Sequence, residues 1–304
     1  MSDFLSANLA GRVLFAIPKK GRLYEKCLEL LSGADVQFTR SHRLDVCLVR
    51  NHNMALVFLP AADIPRFVGE GNVHFGITGQ DMVAEAAMNE LVTEVIELGF
   101  GKCKLQVQVP VRSGITSVDQ LAGKKVVTSF EVLAGRYFGE LDTRVGAKEN
   151  TVIEYVGGSV EAACALGLAD GIVDLVESGE TMRAAGLTPI ETLLTSQAVL
   201  IRSNKPVSST ENAELIERVS SRIAGVIAAG KYVLCNYNIP RKAVDEAVKI
   251  TPGRRAPTVS PLDDKEWVAV SSMVLKAEIA DVMDRLQSAG ATDILVVALS
   301  NCRV

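Results

Sequence analysis

The chain has 304 residues, and 32 Lys and Arg against 36 Asp and Glu leave a formal charge of −4. At 48% hydrophobic and 22% charged it has an ordinary globular composition, which excludes disordered, collagen-like and disulfide-scaffold classes. The mild acidity also makes the chain a poor candidate for sequence-independent nucleic-acid binding, which depends on many Lys and Arg neutralising phosphates, but it allows a local basic pocket. Length predicts about two domains or three small ones. Short β-branched runs alternate with helical periods, the pattern of a mainly parallel α/β protein. A buried strand at 12–17 leads through Pro18-Lys19-Lys20-Gly21-Arg22 into a helix with Leu23, Cys27, Leu30 and Leu31 on one face. Strands at 45–49 and 55–59, a helix at 62–69, a strand at 73–78 and a helix after Gly79 follow. Residues 104–111 alternate strictly, Leu105, Val107, Val109 and Val111 against Lys104, Gln106, Gln108 and Pro110. That predicts a half-exposed strand crossing between domains.

From about Gly114 the unit restarts, with a short helix at 117–121, a strand at 125–129, a helix at 131–139 and a strand at 151–155. A helix at 159–166, a strand at 171–176, a helix from Glu180, a strand-like stretch at 193–202 and a long helix at 211–229 complete it. Two α/β halves predict two lobes with a ligand cleft between them. The tail reads strand 231–237, helix 240–250 opened by Pro240, strands 255–260 and 266–273, helix 275–288 and strand 292–299. This βαββαβ order is ferredoxin-like. The expected division is 1–113 with 189–230 as one lobe, 114–188 as the second, and 231–304 as a separate small domain.

Cys27, Cys47, Cys103, Cys164, Cys235 and Cys302 form no CxxC pair, and His42, His52 and His74 have no metal-ligand spacing with them. Buried thiols of a reduced, intracellular protein are the expectation. The longest apolar runs, such as 294–299, fall far short of the roughly 20 residues of a membrane span, and Asp3 precedes no signal-like apolar run.

The strongest chemical signal runs from Ala169-Asp170-Gly171 through Asp174 to Glu177-Ser178-Gly179-Glu180-Thr181. A strand ends, a small polar turn follows, and a helix begins. Free N–H groups there, with the Ser178 and Thr181 hydroxyls, make a phosphate cradle that Gly179 lets a ligand approach. Asp170 and Asp174, four apart on one strand, face one side and suit ribose hydroxyls or Mg2+. A plain helix start capped by Ser178 fits the same letters. The cations of Pro18-Lys19-Lys20-Gly21-Arg22 follow the first strand, where an α/β sheet places its crevice, and suit an anionic substrate; a solvated basic turn fits them equally. Gly69-Glu70-Gly71 precedes a strand and so is no dinucleotide fingerprint. Gly76-Ile77-Thr78-Gly79-Gln80-Asp81 follows a strand, which suits either backbone approach to a ligand or a tight turn. Gly99-Phe100-Gly101 and Thr128-Ser129-Phe130 are weaker turns of the same kind. There is no GxSxG, HExxH or Walker A sequence.

In order along nearly the whole chain, these segments resemble the ATP phosphoribosyltransferases in their long, histidine-regulated form. Phe58-Leu59-Pro60-Ala61-Ala62-Asp63-Ile64-Pro65 resembles the fungal branch. The motifs are Pro18 to Leu23, Gly76 to Asp81, Gly99 to Cys103, Lys125 to Ser129, Gly157 to Glu161 running into Leu168 to Thr181, and Thr251-Pro252-Gly253 with Pro257 to Leu262. The resemblance implies an α/β fold: a two-lobed periplasmic-binding-protein-like catalytic core and a C-terminal ferredoxin-like βαββαβ regulatory domain. It implies transfer of phosphoribosyl from phosphoribosyl pyrophosphate (PRPP) to N1 of ATP with Mg2+, the first step of histidine biosynthesis, inhibited by L-histidine. Catalysis would be mostly positioning and electrostatics.

By the same resemblance, Glu161, Asp170, Asp174, Ser178, Gly179, Glu180 and Thr181 serve PRPP. Lys19, Gly21, Arg22, Arg43 and Arg136 serve ATP and pyrophosphate; Asn238, Thr258, Met273 and Asp293 serve histidine. The metal ligands are not assigned. A cytoplasmic homo-oligomer, a hexamer with a dimer form, is implied, with no nucleic-acid or membrane partner. The chain departs from the family pattern at Pro60-Ala61-Ala62, where many members carry Arg, at His74, where many carry an acid, and at Phe130-Glu131 in place of Tyr-Pro. Without the family, a two-lobed solute-binding protein or a purely regulatory subunit would compete.

Overall fold

The computed structural model describes residues 8–40 and 44–303. They form two compact units, 8–28 with 37–40 and 44–216 in one, and 29–36 with 217–303 in the other.

The first unit holds two sheets. In one, β1 (Val13–Pro18) lies parallel to β3 (Met54–Leu59) and β4 (Phe75–Gly79), while β2 (Val46–Leu48), β11 (Ala198–Ser203) and β5 (Val92–Glu97) add antiparallel neighbours, in the order β2-β3-β1-β4-β11-β5. Val13, Phe15, Ala16 and Ile17 are fully buried, as a parallel strand covered on both faces demands. The Phe15 and Phe75 rings stack 3.9 Å apart. Helices α1 (Tyr24–Gly33), α2 (Ile64–Gly69) and α3 (Gln80–Glu85) follow β1, β3 and β4 respectively, except that β2 intervenes before β3.

The second sheet runs β10 (Leu187–Ser196), β6 (Cys103–Pro110), β9 (Gly171–Val176), β7 (Lys125–Thr128), β8 (Val152–Tyr155). Strands β7, β8 and β9 are parallel, and β6 and β10 are antiparallel to their neighbours. Helices α4 (Glu131–Val145), α5 (Glu161–Ala165) and α6 (Glu180–Ala184) accompany it. A short 3-10 turn at Val118–Leu121 is closed by a capping box between Ser117 and Gln120.

Three expectations change here. The strand at 104–111 is half-exposed as expected at Lys104, Gln106 and Pro110, but it is not shared: β6 lies inside the second sheet, and Gln108 is buried, its amide donating to the Asp174 carbonyl at 3.4 Å. At Gln108 alone alternating polarity did not mean solvent, because a buried amide found a partner. The stretch 193–202 is two strands in different sheets, β10 and β11, parted at Gln197. Sheet membership thus moves at 98–102 and at Gln197, not at 113 and 188. Strand β5, at a sheet edge and largely exposed, shows no clean alternation and was not foreseen.

The second unit takes in the tail from residue 231 together with the end of α1 and most of α7 (Thr210–Lys231). Its sheet, β13 (Thr258–Pro261), β14 (Trp267–Leu275), β12 (Tyr232–Pro240), β15 (Thr292–Ala298), is antiparallel throughout. With α8 (Val244–Ile250) and α9 (Ile279–Ser288) it is the ferredoxin-like arrangement. Val233, Cys235, Tyr237 and Ile239 pack with Val268, Val270 and Leu286 into one core. The Tyr237 and Thr251 hydroxyls are 2.7 Å apart, satisfying both inside it. Pro240 ends β12 and is followed by a 3-10 turn, so α8 begins later than the proline suggested.

Candidate active site in the interlobe crevice

The parallel strands of both sheets direct their C-terminal ends into loops that bear the polar groups. After β1 the chain turns at Gly21, whose φ of +86° favours glycine. Lys20, Gly21 and Arg22 line a cavity of about 160 Å³. Pro18, Leu23, Ala61 and Met82 supply its apolar wall, and Leu175 closes it from the second lobe.

Arg22 is the junction. Its guanidinium donates to the Glu177 carboxylate and, at 3.3 Å, to the Cys103 sulfur. Burial opposes its charge, but the bonds to Glu177 and Cys103 prevail and its pKa rises. Burial also pushes the Cys103 thiol upward. Asp81, near the start of α3, is 1% exposed and lines the same cavity. Its Oδ1 accepts from the Ser196 hydroxyl at 2.5 Å, and its amide N–H donates to that oxygen at 3.0 Å. A Cβ on Gly79 would stand 2.1 Å from Oδ1, so the carboxylate can fold back only over glycine.

On the second lobe, Asp174 is held up at about 6 by burial, helped by the nearby Glu161 charge and opposed by the bond from the Leu175 amide. Glu161 opens α5. The Ser178 hydroxyl accepts from the Glu180 amide at 3.4 Å, while Gly179, at φ +75°, holds the helix-cap position. Ser178 is therefore not itself the cap residue. Arg183 reaches back from α6 to donate to the Ser178 carbonyl at 3.1 Å, placing a cation beside the loop that the sequence did not flag. The lobes also meet where the Glu85 carboxylate accepts from the Val132 and Leu133 amides at 2.9 and 3.0 Å, satisfying the α4 N-terminus.

Glu161 and Asp174 thus lie close to each other, and Arg22 meets Glu177 beside Ser178 and Gly179. Four expected residues stand elsewhere or outside view. Asp170 precedes β9; it accepts from the Lys125 amide at 3.1 Å and faces Lys124 at 4.0 Å. It lies eight positions before Ser178, and a strand rising about 3.3 Å per residue carries the two to opposite ends. Lys19 turns towards Asp45 at 3.9 Å, while Lys20 is the lysine in the cavity and has no ion-pair partner among the described residues. Arg136 is exposed on α4. Arg43 lies outside the described residues. His74, whose Nδ1 accepts from the Leu14 amide at 2.9 Å, sits just before β4, at the other end from Gly79, so its substitution for an acid leaves the crevice untouched.

In the second unit a cavity of about 180 Å³ on the sheet is lined by Asn238, Thr258, Ser260, Ser271 and Asp293. Asn238 donates to Asp293 at 3.0 Å. Asn238, Thr258 and Asp293 come together as expected; Met273, paired with Leu234 on β14, is not in the lining.

A two-lobed α/β core with a basic turn facing an acidic, glycine-bearing loop defines an enzyme for anionic substrates, here followed by a ferredoxin-like module. The family model described as HisG: ATP phosphoribosyltransferase matches residues 60–225, and the HisG, C-terminal domain model matches residues 229–301. The chain belongs to the ATP phosphoribosyltransferase family. It is 61% identical over 297 residues to the ATP phosphoribosyltransferase of Yarrowia lipolytica, covering 98% of each chain. To that of Saccharomyces cerevisiae it is 54% identical over 297 residues, again 98% of each. The solved ATP phosphoribosyl transferase (HisG:HisZ) complex from Thermotoga maritima matches with a TM-score of 0.59 at 23% identity, over 70% of this chain and 96% of that one, a likeness of fold. The chain is a glycosyltransferase that moves phosphoribosyl from PRPP to N1 of ATP and releases pyrophosphate, the first step of histidine biosynthesis.

Proposed function

We propose that both substrates of this transfer meet in the crevice, with PRPP on the second lobe and ATP on the first. The observation that carries the reading is the bond from Arg22 to Glu177, which brings the basic turn and the glycine-bearing loop to one point. Ser178, Gly179, Glu180 and Thr181 receive the 5-phosphate through hydroxyls and backbone N–H groups, with Arg183 adding charge. Glu161 and Asp174 hold the ribose hydroxyls. Gly21 and Arg22, with Lys20 in place of Lys19, receive the triphosphate and pyrophosphate. The attack builds cationic charge on the sugar and anionic charge on pyrophosphate, so fixed carboxylates on one side and fixed cations on the other lower the barrier without a covalent intermediate.

No group of three or more His, Cys, Asp or Glu side chains among the described residues could cage a metal. The pair Glu161 and Asp174 fits Mg2+ held mainly by substrate phosphates with one or two carboxylates. Such an ion would neutralise the departing pyrophosphate. L-Histidine is read as the ligand of the cavity at Asn238, Thr258 and Asp293, acting as a feedback inhibitor. A homo-oligomer, hexameric with a dimer form, is carried over from the family resemblance; the exposed Leu295 and Val297 of β15, 61% and 47% exposed, offer an apolar edge for a contact between copies. Its setting is read as the cytoplasm: five of the six thiols are buried, and among the described residues no helix is long and apolar enough to cross a membrane.

Calorimetry of PRPP binding tests the central assignment. Gly179→Val should abolish measurable PRPP binding while leaving histidine binding intact; unchanged PRPP affinity would remove the phosphate loop from the site.

A further inference from the structure

We infer that Asp81 is a catalytic residue that takes a proton from the exocyclic amino group of the attacking adenine. The inference rests on the reading that this base occupies the first-lobe side of the crevice. Asp81 is the one acid among the described residues lining that cavity. It is 1% exposed, and its Oδ1 and amide N–H are both committed to Ser196. No hydrogen bond engages its Oδ2 among the described residues, and since the one sealed-off side-chain atom without a partner there is Arg40 Nε, Oδ2 opens on the cavity. A buried carboxylate is normally satisfied on both oxygens, so an oxygen left for the cavity marks a place for a donor from a ligand. The walls beside it, Pro18, Leu23, Ala61 and Met82, are apolar and suit a flat base.

The chemistry of the established transfer supplies that donor. The N1 lone pair forms the new bond to C1 of the sugar, and the C1–O bond breaks with its electron pair leaving on pyrophosphate. The alkylated adenine is then a cation, lying beside Lys20 and Arg22, which oppose it. Loss of one proton from the 6-amino group to Asp81 Oδ2 leaves a neutral imino base, and the protonated carboxyl returns its proton to water when product leaves. Before attack, the same hydrogen bond raises electron density at N1. Ser196 holds Asp81 and is a positioning residue.

Asp81→Asn tests this, because it keeps the shape and an oxygen for Ser196 but cannot take the proton. Pyrophosphate release is followed with ATP and with purine riboside triphosphate, which has no 6-amino group. The expected result is a kcat loss of about 100-fold or more with ATP and less than about twofold with the analogue. Calorimetry, which needs no turnover, should show weaker binding of ATP but not of the analogue. Ser196→Ala should give the same substrate-selective pattern at smaller size, which covers the case of a poorly folding Asp81 variant. An equal loss on both substrates, as a metal-binding or structural carboxylate would give, overturns the inference, and so does an undiminished rate with ATP. Arg22→Ala, losing activity alike on both substrates, separates this outcome from failure of the crevice reading, which an active Arg22→Ala would signal.

Discussion

Arg22, on the turn after β1, donates to Glu177, on the loop after β9, across 155 positions of sequence. The two side chains are 32% and 51% exposed, so the pair is worth only about 0–1 kcal/mol of stability. Its consequence should therefore be functional. Arg22→Ala should lower pyrophosphate release by about 100-fold while Glu177→Gln shifts the melting temperature by less than about 3 °C. Arg22→Lys should not restore activity, since an ammonium lacks the planar fork and reach with which the guanidinium bonds Glu177 and Cys103 together. Full activity in Arg22→Lys would show that a point charge suffices.

Asp174 gives the crevice a pH dependence. Its carboxyl moves from 3.8 to about 6 in the fold, chiefly by burial. Between those values the folded state binds the extra proton, so stability falls as pH rises through this window, by at most about 3 kcal/mol. The ionised form above pH 6 is the one that ribose hydroxyls or a cation reward. PRPP affinity of the wild type should weaken as pH drops below 6, while Asp174→Asn should bind weakly at every pH. A titration of PRPP between pH 5 and 8 decides it.

His74 acts in the opposite sense. Burial lowers its pKa from 6.5. The folded state therefore favours the neutral ring, and the associated stability is present above 6.5 and lost as pH falls through the lower folded value. Urea unfolding at pH 7.5 and pH 5 should show a smaller acid loss in His74→Asn, whose amide oxygen can still accept from Leu14, with activity at pH 7.5 unchanged.

Gly179→Ala places a Cβ at φ +75° and 2.8 Å from the Arg183 guanidinium. The left-handed conformation alone costs about 1–2 kcal/mol, and the displaced Arg183 no longer attends the loop. A tenfold or greater rise in the PRPP dissociation constant is expected, with ATP binding in the absence of PRPP unaffected. Equal weakening of both ligands would point to a general loss of structure.

Histidine control is best tested by point substitution. Cutting the chain near residue 230 would divide a compact unit that takes in 29–36 and 217–303. Asp293 instead stands in the sheet cavity at φ +50°, bonded to Asn238. Asp293→Asn should raise the histidine concentration needed for half-inhibition by tenfold or more, with uninhibited activity unchanged. Unaltered inhibition would place the inhibitor elsewhere.

The sequence determined the elements by their local chemistry. The unbroken apolar letters of β1, the short helical turn near 117–121 and the βαββαβ order of the tail each follow from local periodicity, and each forms close to where the sequence places it. The glycine-bearing loop at 178–181 was legible for the same reason, since a strand end, a glycine and a helix start are neighbours in the chain. Only the tertiary structure decided which strands share a sheet, because β6 and β10 could alternate polarity equally well in either lobe until Gln108 found the Asp174 carbonyl. It likewise decided that Asp170, bonded to the Lys125 amide before β9, stands apart from Asp174 inside that strand, and that Lys20, not Lys19, enters the crevice. Asp81 was passed over as part of a turn. Its meaning lies in Ser196, 115 residues away, and burial by a distant partner leaves no mark on the local pattern of residues.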